Sequence, residues 1–187
     1  MQQLLQAISA KAFLTPDLMR QIEVYFEPVH HKKGDRILSE RRRAGHLYFI
    51  DKGLLHTYYF HEEKQVSSWF YQEGYFITAW GSFYNQNPSF EEIECLEDCD
   101  LFRISYTNYQ KLVADFPAFG NFGRLLAEEM LAFLDEFFKG WAFLSAKDKY
   151  RMLLDYFPDV GQRVKLGLIA SFLGISQETL SRVRARR

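Results

Sequence analysis

Between Ser176 and Arg184 the chain carries four polar side chains, Gln177, Glu178, Ser181 and Arg182, at offsets of one, four and five residues. On a helix these share one side, with Leu180 and Val183 turned the other way. An amide, a carboxylate, a hydroxyl and a guanidinium grouped in this manner are suited to hydrogen bonding at an edge, not to covalent chemistry. Arg182 matches the paired acceptors of guanine, Glu178 the amino group of cytosine, and Gln177 adenine or a phosphate. Ser176, Thr179 and the basic tail with Arg184 and Arg186 are placed to meet phosphates.

The elements that must hold this face are written into the preceding residues. With Leu166 as the first position of a twenty-residue helix-turn-helix, Ile169, Leu173, Ile175, Leu180 and Val183 fall where two helices bury side chains against each other. Ala170 sits where the helices approach most closely. Gly174 sits at the turn, where a left-handed backbone costs glycine little. Ser176 is the N-cap, its hydroxyl directed to the free amide of Glu178 or Thr179. An ordinary helical hairpin needs the packing positions alone; it does not need the small residue, the turn glycine, the cap and the outward arginine together.

Charge agrees with an anionic partner. From Arg163 to Arg187 six basic residues face the single acid Glu178, a balance of +5, so that the rest of a chain of net charge −1 carries −6. A basic end on an acidic body attracts phosphate. Catalytic alternatives lack their residues. A metal-binding cupin needs two histidines one residue apart with a glutamate and a third histidine, whereas His30 and His31 are adjacent and point to opposite faces of a strand; His46, His56 and His61 do not repair the spacing. Neither a Gly-x-Ser-x-Gly elbow nor a phosphate loop occurs. Cys95 and Cys99, on one face if their segment is a single strand, are too few for a zinc or iron-sulfur site and read as buried hydrophobes. No metal is expected.

The 187 residues, 48% hydrophobic and 17% aromatic, suffice for a medium domain and a small one. No run of about 18 apolar residues and no leader pattern is present, so a cytoplasmic protein without a membrane partner is expected. Met1 to Phe26 reads as two short helices, the second starting at Thr15-Pro16-Asp17. From Glu27 to about Tyr106, short aromatic and β-branched runs such as Leu47–Ile50, Leu54–Phe60, Val66–Phe70 and Leu101–Ile104 alternate with turn signals, which predicts an antiparallel sandwich or barrel. After Pro117 the period is helical: Phe119, Gly123, Leu126, Met130, Phe133, Phe137, Gly140 and Leu144 form a heptad seam. Leu125, Leu131, Leu134, Phe138 and Trp141 add apolar positions off that seam. The helix therefore needs two neighbours, and the same helix of a second subunit is the economical one, with Phe119, Leu126, Met130, Phe133 and Phe137 as the dimer contacts. Ser145 caps a further helix ending at Phe157-Pro158.

The run Ile169-Ala-Ser-Phe-Leu-Gly-Ile-Ser-Gln-Glu-Thr-Leu-Ser-Arg-Val-Arg184 resembles the C-terminal motif of the Crp/Fnr family of regulators. Lys149-Tyr150, Leu153-Leu154 and Phe157-Pro158 resemble that family's preceding helix. Lys33-Gly34-Asp35, Leu47–Ile50 with Gly53, and Glu73-Gly74-Tyr75-Phe76 resemble its cyclic-nucleotide-binding β-roll. The resemblance implies an α+β fold: an N-terminal antiparallel, jelly-roll-like β-roll with flanking helices over 1–116, a long dimerisation helix over 117–144, and a helical helix-turn-helix domain over 145–187. It further implies a sequence-specific transcription regulator that binds a palindromic double-stranded operator as a homodimer, with RNA polymerase as a partner if it activates.

The effector side of the resemblance is incomplete. The Gly-Glu pair and the Arg that hold a cyclic nucleotide are missing from Phe76–Tyr84 and Pro88–Ile93, and Glu91 and Glu92 lie about where positive charge belongs. Cyclic AMP is thus not the expected effector, and no cofactor is required. Trp69, Phe70, Phe76, Trp80, Phe83 and Tyr84 supply either a filled core or a pocket for an apolar effector, lined in the second case by Trp80, Ser82 and Tyr84. The alternatives to this reading are a cyclic-nucleotide-responsive regulator of the same fold and a cupin-like enzyme.

Overall fold

The computed structural model describes residues 1–185. Two amphipathic helices open the chain, α1 (Gln2–Ser9) and α2 (Pro16–Tyr25), and bury Leu4, Ile8, Leu18 and Ile22. Proline at the first turn of α2 and the Thr15 Oγ1, which accepts from Leu18 N at 3.2 Å, fix where it starts.

Eight strands follow: β1 (Glu27–His31), β2 (Arg36–Leu38), β3 (His46–Lys52), β4 (Leu55–His61), β5 (Lys64–Tyr71), β6 (Phe76–Ile77), β7 (Glu92–Cys95) and β8 (Cys99–Ser105). They form two antiparallel four-stranded sheets, in the orders β1-β8-β3-β6 and β2-β7-β4-β5, which face each other as a β-roll. Gly53, at φ +104°, turns β3 into β4 where a Cβ would stand 2.5 Å from Cys99 Sγ. The short helix α3 (Trp80–Asn85) lies between β6 and β7, and α4 (Tyr106–Asp115) follows β8.

The two cysteines do not share a strand. Cys95 ends β7 and Cys99 begins β8, in different sheets, with the turn 96–98 between them. Both are fully buried, and Cys99 Sγ points at the carbonyls of Leu54 and Glu97.

Helix α5 (Pro117–Trp141) crosses from the roll to a C-terminal unit of α6 (Ala146–Tyr156), α7 (Val160–Arg163), α8 (Leu166–Leu173) and α9 (Gln177–Ala185). Among the described residues no helix is long and apolar enough to cross a membrane.

The heptad seam of α5 is spent on the chain's own core. Phe119 is fully buried against Tyr109 and Phe122, and Leu126 packs on the roll. Phe133 and Phe137 meet Trp69 of β5 edge-on, at centroid distances of 5.1 and 5.3 Å, and Met130 is half-buried. Phe119, Leu126, Phe133 and Phe137 are therefore corrected from dimer contacts to internal ones. The face left open carries Leu131, Leu134 and Phe138, 69%, 37% and 67% exposed.

Candidate nucleic-acid interface and sensor site

The apolar centre of the C-terminal unit, Tyr150, Leu153, Phe157, Val160, Ile169, Ala170, Leu173 and Leu180, is continuous with Leu54 and Phe70 of the roll. Gly174 takes φ +66°, and Ile175 N closes the end of α8 on Ala170 O at 3.0 Å. Ser176 Oγ then accepts from Thr179 N at 3.1 Å and lies 2.9 Å from Thr179 Oγ1. The cap uses the Thr179 amide.

With Leu180 buried, Gln177, Glu178, Ser181 and Arg182 stand exposed on α9. Arg182 Nη2 is 3.0 Å from Glu178 Oε1, a surface pair with 64% and 80% of the side chains exposed. Such a pair is held weakly and opens at little cost. Gln177 lies along α8 at Gly167, where a Cβ would come within 3.0 Å of its Nε2. Arg184 leans toward Gly161 of α7, its Nη2 3.7 Å from where a Cβ would stand, and so lies apart from the other four. Arg186 falls outside the described residues.

The opposite side of this unit is fastened to the roll. Arg163 Nε and Nη2 donate to both carboxylate oxygens of Glu97 at 3.0 and 2.8 Å, Nη1 and Nη2 to both of Glu73 at 3.0 and 2.8 Å, and Asp159 lies 3.4 Å away. Burial opposes the charged Glu73, but Arg163 and the Gly53 amide outweigh it and hold that carboxyl below its usual range; the same hydrogen bonds raise the Arg163 pKa. Ser171 Oγ bridges the edge of β5, donating to Gln65 O and accepting from Ser67 N, both at 3.1 Å. Phe172 packs on Trp69 and Phe70 at 5.3 and 5.7 Å. From its place in the chain Arg163 counts only as one charge of the basic end; its two carboxylates lie 66 and 90 residues away, and no local pattern marks them.

His56 of β4 lies on this docking face, stacked between Tyr58 and Phe70 at 5.1 Å each, wholly buried, with neither ring nitrogen hydrogen-bonded. Burial lowers its pKa to about 4.

In the roll, Trp80 and Tyr84 form a stacked pair, centroids 6.1 Å apart and planes at 22°. Ser82 is removed from the effector candidates: its hydroxyl accepts from Ala44 N at 2.9 Å and donates to Asn87 O, closing the loop. Glu92 also turns away, bound by the Tyr58 hydroxyl at 2.6 Å and Arg36 at 3.4 Å, while Glu91 faces Tyr71 and Ser68.

A β-roll closed by helices is continued here through a long helix into a helix-turn-helix. Residues 28–116 match the family of cyclic nucleotide-binding domains. The chain as a whole has the fold of the Crp/Fnr regulators. It is similar to the c-di-GMP-responsive global regulator CLP of Xanthomonas campestris (19% identity, TM-score 0.67, 92% of this chain and 91% of that one). It is likewise similar to a crp/fnr-family protein of Eubacterium rectale (20%, 0.71, 92% and 83%) and to FixK2 of Bradyrhizobium japonicum (14%, 0.72, 86% and 83%). No curated protein matches the sequence.

The residues present do not fit a cyclic nucleotide. A buried phosphodiester needs a cation or a cluster of donors. Among the described residues of the roll every lysine and arginine is exposed except Arg103, which pairs with Glu27 on the outer surface. Glu91 supplies the opposite charge.

Proposed function

We propose that this chain is a homodimeric, sequence-specific DNA-binding transcription regulator whose roll does not respond to cyclic AMP. The observation that carries the reading is the exposed quartet Gln177, Glu178, Ser181 and Arg182 on a capped helix whose other face is buried. Such a helix fits the major groove by its N-terminal half, with Ser176, Thr179 and Arg184 toward the backbone. Two copies related by a dyad meet a palindrome whose half-sites lie one DNA turn, ~34 Å, apart.

The dimer contact in this reading is the open stripe of α5. Ala127, Leu131, Leu134 and Phe138 are all exposed and follow steps of four, three and four, the spacing of a two-helix seam. Selection from random DNA tests the whole. Arg182→Ala is expected to lose preference at one position in each half-site while the dimer persists, and an unchanged selected sequence rejects Arg182 as a base reader. Leu131→Glu with Phe138→Glu is expected to yield a monomer by light scattering and to weaken operator binding at least a hundredfold; a dimer that survives both charges places the contact elsewhere.

A further inference from the structure

The turn 96–98 between β7 and β8 carries Glu97, one of the carboxylates that hold Arg163, and it is bracketed by Cys95 and Cys99, both free thiols. Main-chain pairing brings the two cysteines to one corner. Cys95 stands opposite Leu55 in register, Leu96 N donates to Leu54 O at 2.8 Å, and Cys99 Sγ lies 3.8 Å from that same carbonyl. Cys99 Sγ also reaches Glu97 O at 3.3 Å, so the thiol itself helps to hold the turn.

Two thiols that flank one tight turn can close an intramolecular disulfide when the backbone brings their sulfurs into contact. Here the Cys95 thiol donates to the Cys99 sulfur, which holds the Cys99 thiol below its ordinary range despite burial and pushes Cys95 above its own. Cys99 is therefore the nucleophile and Cys95 the resolving thiol. Both are buried, so an oxidant must be small and must enter by local opening of the turn, where Asp98 is exposed and Leu96 and Glu97 are half-buried. Hydrogen peroxide meets the requirement of size. The Cys99 thiolate attacks one peroxide oxygen, the O–O bond breaks, and the departing hydroxide takes up the proton that Cys99 released; Cys99 is now a sulfenic acid. Cys95 then attacks that sulfur, the S–O bond breaks, and hydroxide leaves as water with the Cys95 proton. The thiols together lose two electrons and two protons, and one peroxide becomes two waters.

We propose that Cys95 and Cys99 are a peroxide-reactive dithiol pair, and that closing their disulfide loosens the contact between Glu97 and Arg163 that fastens the C-terminal unit to the roll. Bonded sulfurs stand well inside the contact distance of two thiols, so residues 95 and 99 draw together and the turn between them changes shape. The S–H that met Glu97 O is lost in the same step. The Glu97 carboxylate, which accepts from Arg163 Nε and Nη2, moves with its backbone. A consequence for DNA binding rests on the regulator reading; the disulfide and its effect on the Arg163 contact do not.

The experiment treats the reduced full chain with millimolar hydrogen peroxide and counts its thiols after denaturation. Two free thiols per chain are expected to fall to none, with a monomer-sized band on a non-reducing denaturing gel, and dithiothreitol is expected to restore both. Cys95→Ala is expected to stop at the sulfenic acid, which dimedone traps, and Cys99→Ala to react at least tenfold more slowly. In the parent chain, oxidation is expected to speed hydrogen exchange at the Leu96 amide and along β5 at least fivefold while α8 keeps its protection. Thiols that survive peroxide, a disulfide that forms only between chains, or exchange that is the same in both forms overturns the proposal, and none of these results depends on a variant that folds. Operator binding by the reduced and oxidised chain is measured alongside, with at least a fivefold difference expected; equal binding by the two forms overturns the regulatory consequence. Absence of DNA binding in both forms, with the disulfide and the exchange response intact, overturns the regulator reading and leaves the dithiol pair standing.

Discussion

The roll and the C-terminal unit bury polar groups in opposite ways. Among the described residues, the buried side-chain nitrogens and oxygens left without hydrogen-bond partners lie in the roll, with those of His31, His56 and Ser67 among them. In the C-terminal unit the polar side chains are exposed or engaged, as Ser145, Arg163, Ser171 and Ser176 are. In the proposed reading the C-terminal unit has to present one fixed surface, and satisfied caps and an apolar centre fix it. Unsatisfied buried groups cost stability, so the fold of the roll is a finer balance than that of the C-terminal unit.

The largest effect that tests this contrast concerns His56. Its pKa falls from 6.5 in the unfolded chain to about 4 in the fold because burial opposes the charged ring. The groups around it are Tyr58 on its own strand, Phe70 on β5, and Glu94, its partner in register on β7. Between pH 6.5 and 4 the unfolded chain binds the proton and the folded chain does not, so stability is full above that window and declines as the pH falls through it. The loss reaches about 1.4 kcal/mol per pH unit at its steepest and about 3 kcal/mol in all. His56→Phe is expected to flatten that part of the urea-denaturation profile. An unchanged slope between pH 6.5 and 4 removes His56 from the balance.

Much of the C-terminal unit was legible because its rules are local. Ala170, Gly174 and Ser176 each answer a requirement set by residues a few positions away, and α8, the turn and α9 follow from them. The strands with strong aromatic runs, β3 to β5, were legible for the same reason. By contrast β1, largely exposed as Glu-Pro-Val-His-His, and β2, three residues long, carry too little alternation to announce themselves. The assignment of α5's faces failed because both are apolar, and the choice between them was made by Trp69, some sixty residues earlier, whose position depends on the β4–β5 pairing. Of the residues expected to line an apolar pocket, Trp80 and Tyr84 share a stack, whereas Ser82 looked available only because its partners Ala44 and Asn87 are a matter of loop geometry.

Arg163 joins the two regions and gives a smaller effect. Replacing it by alanine leaves Glu73 and Glu97 facing each other at the seam. Those carboxylates are 38% and 32% exposed, so water screens much of the repulsion, and a loss of about 1–2 kcal/mol is expected. The effect belongs to docking and not to either core. Hydrogen exchange is expected to quicken along β5 and at the 53, 73 and 97 turns while the amides of α8 keep their protection. Uniform loss across α8 as well would mean that the C-terminal unit has no stability apart from the roll.

The smallest effect separates the cap from the contact at Ser176. Its hydroxyl serves the Thr179 amide at the surface, where water takes over if it is removed, so Ser176→Ala is expected to cost only about 0.5–1 kcal/mol. Ser176→Gly costs a few tenths, because glycine enters a helix almost as well at this position. Both variants lack the hydroxyl, and only the alanine form pays the full capping cost. If Ser176 does no more than cap α9, operator affinity falls for alanine and barely for glycine. If the hydroxyl also meets a phosphate, the two variants weaken binding alike and by more than their stabilities differ, on all DNA sequences equally, since a backbone contact carries no base preference. A variant pair that binds like the parent would confine recognition to the outward quartet and leave the cap a purely structural device.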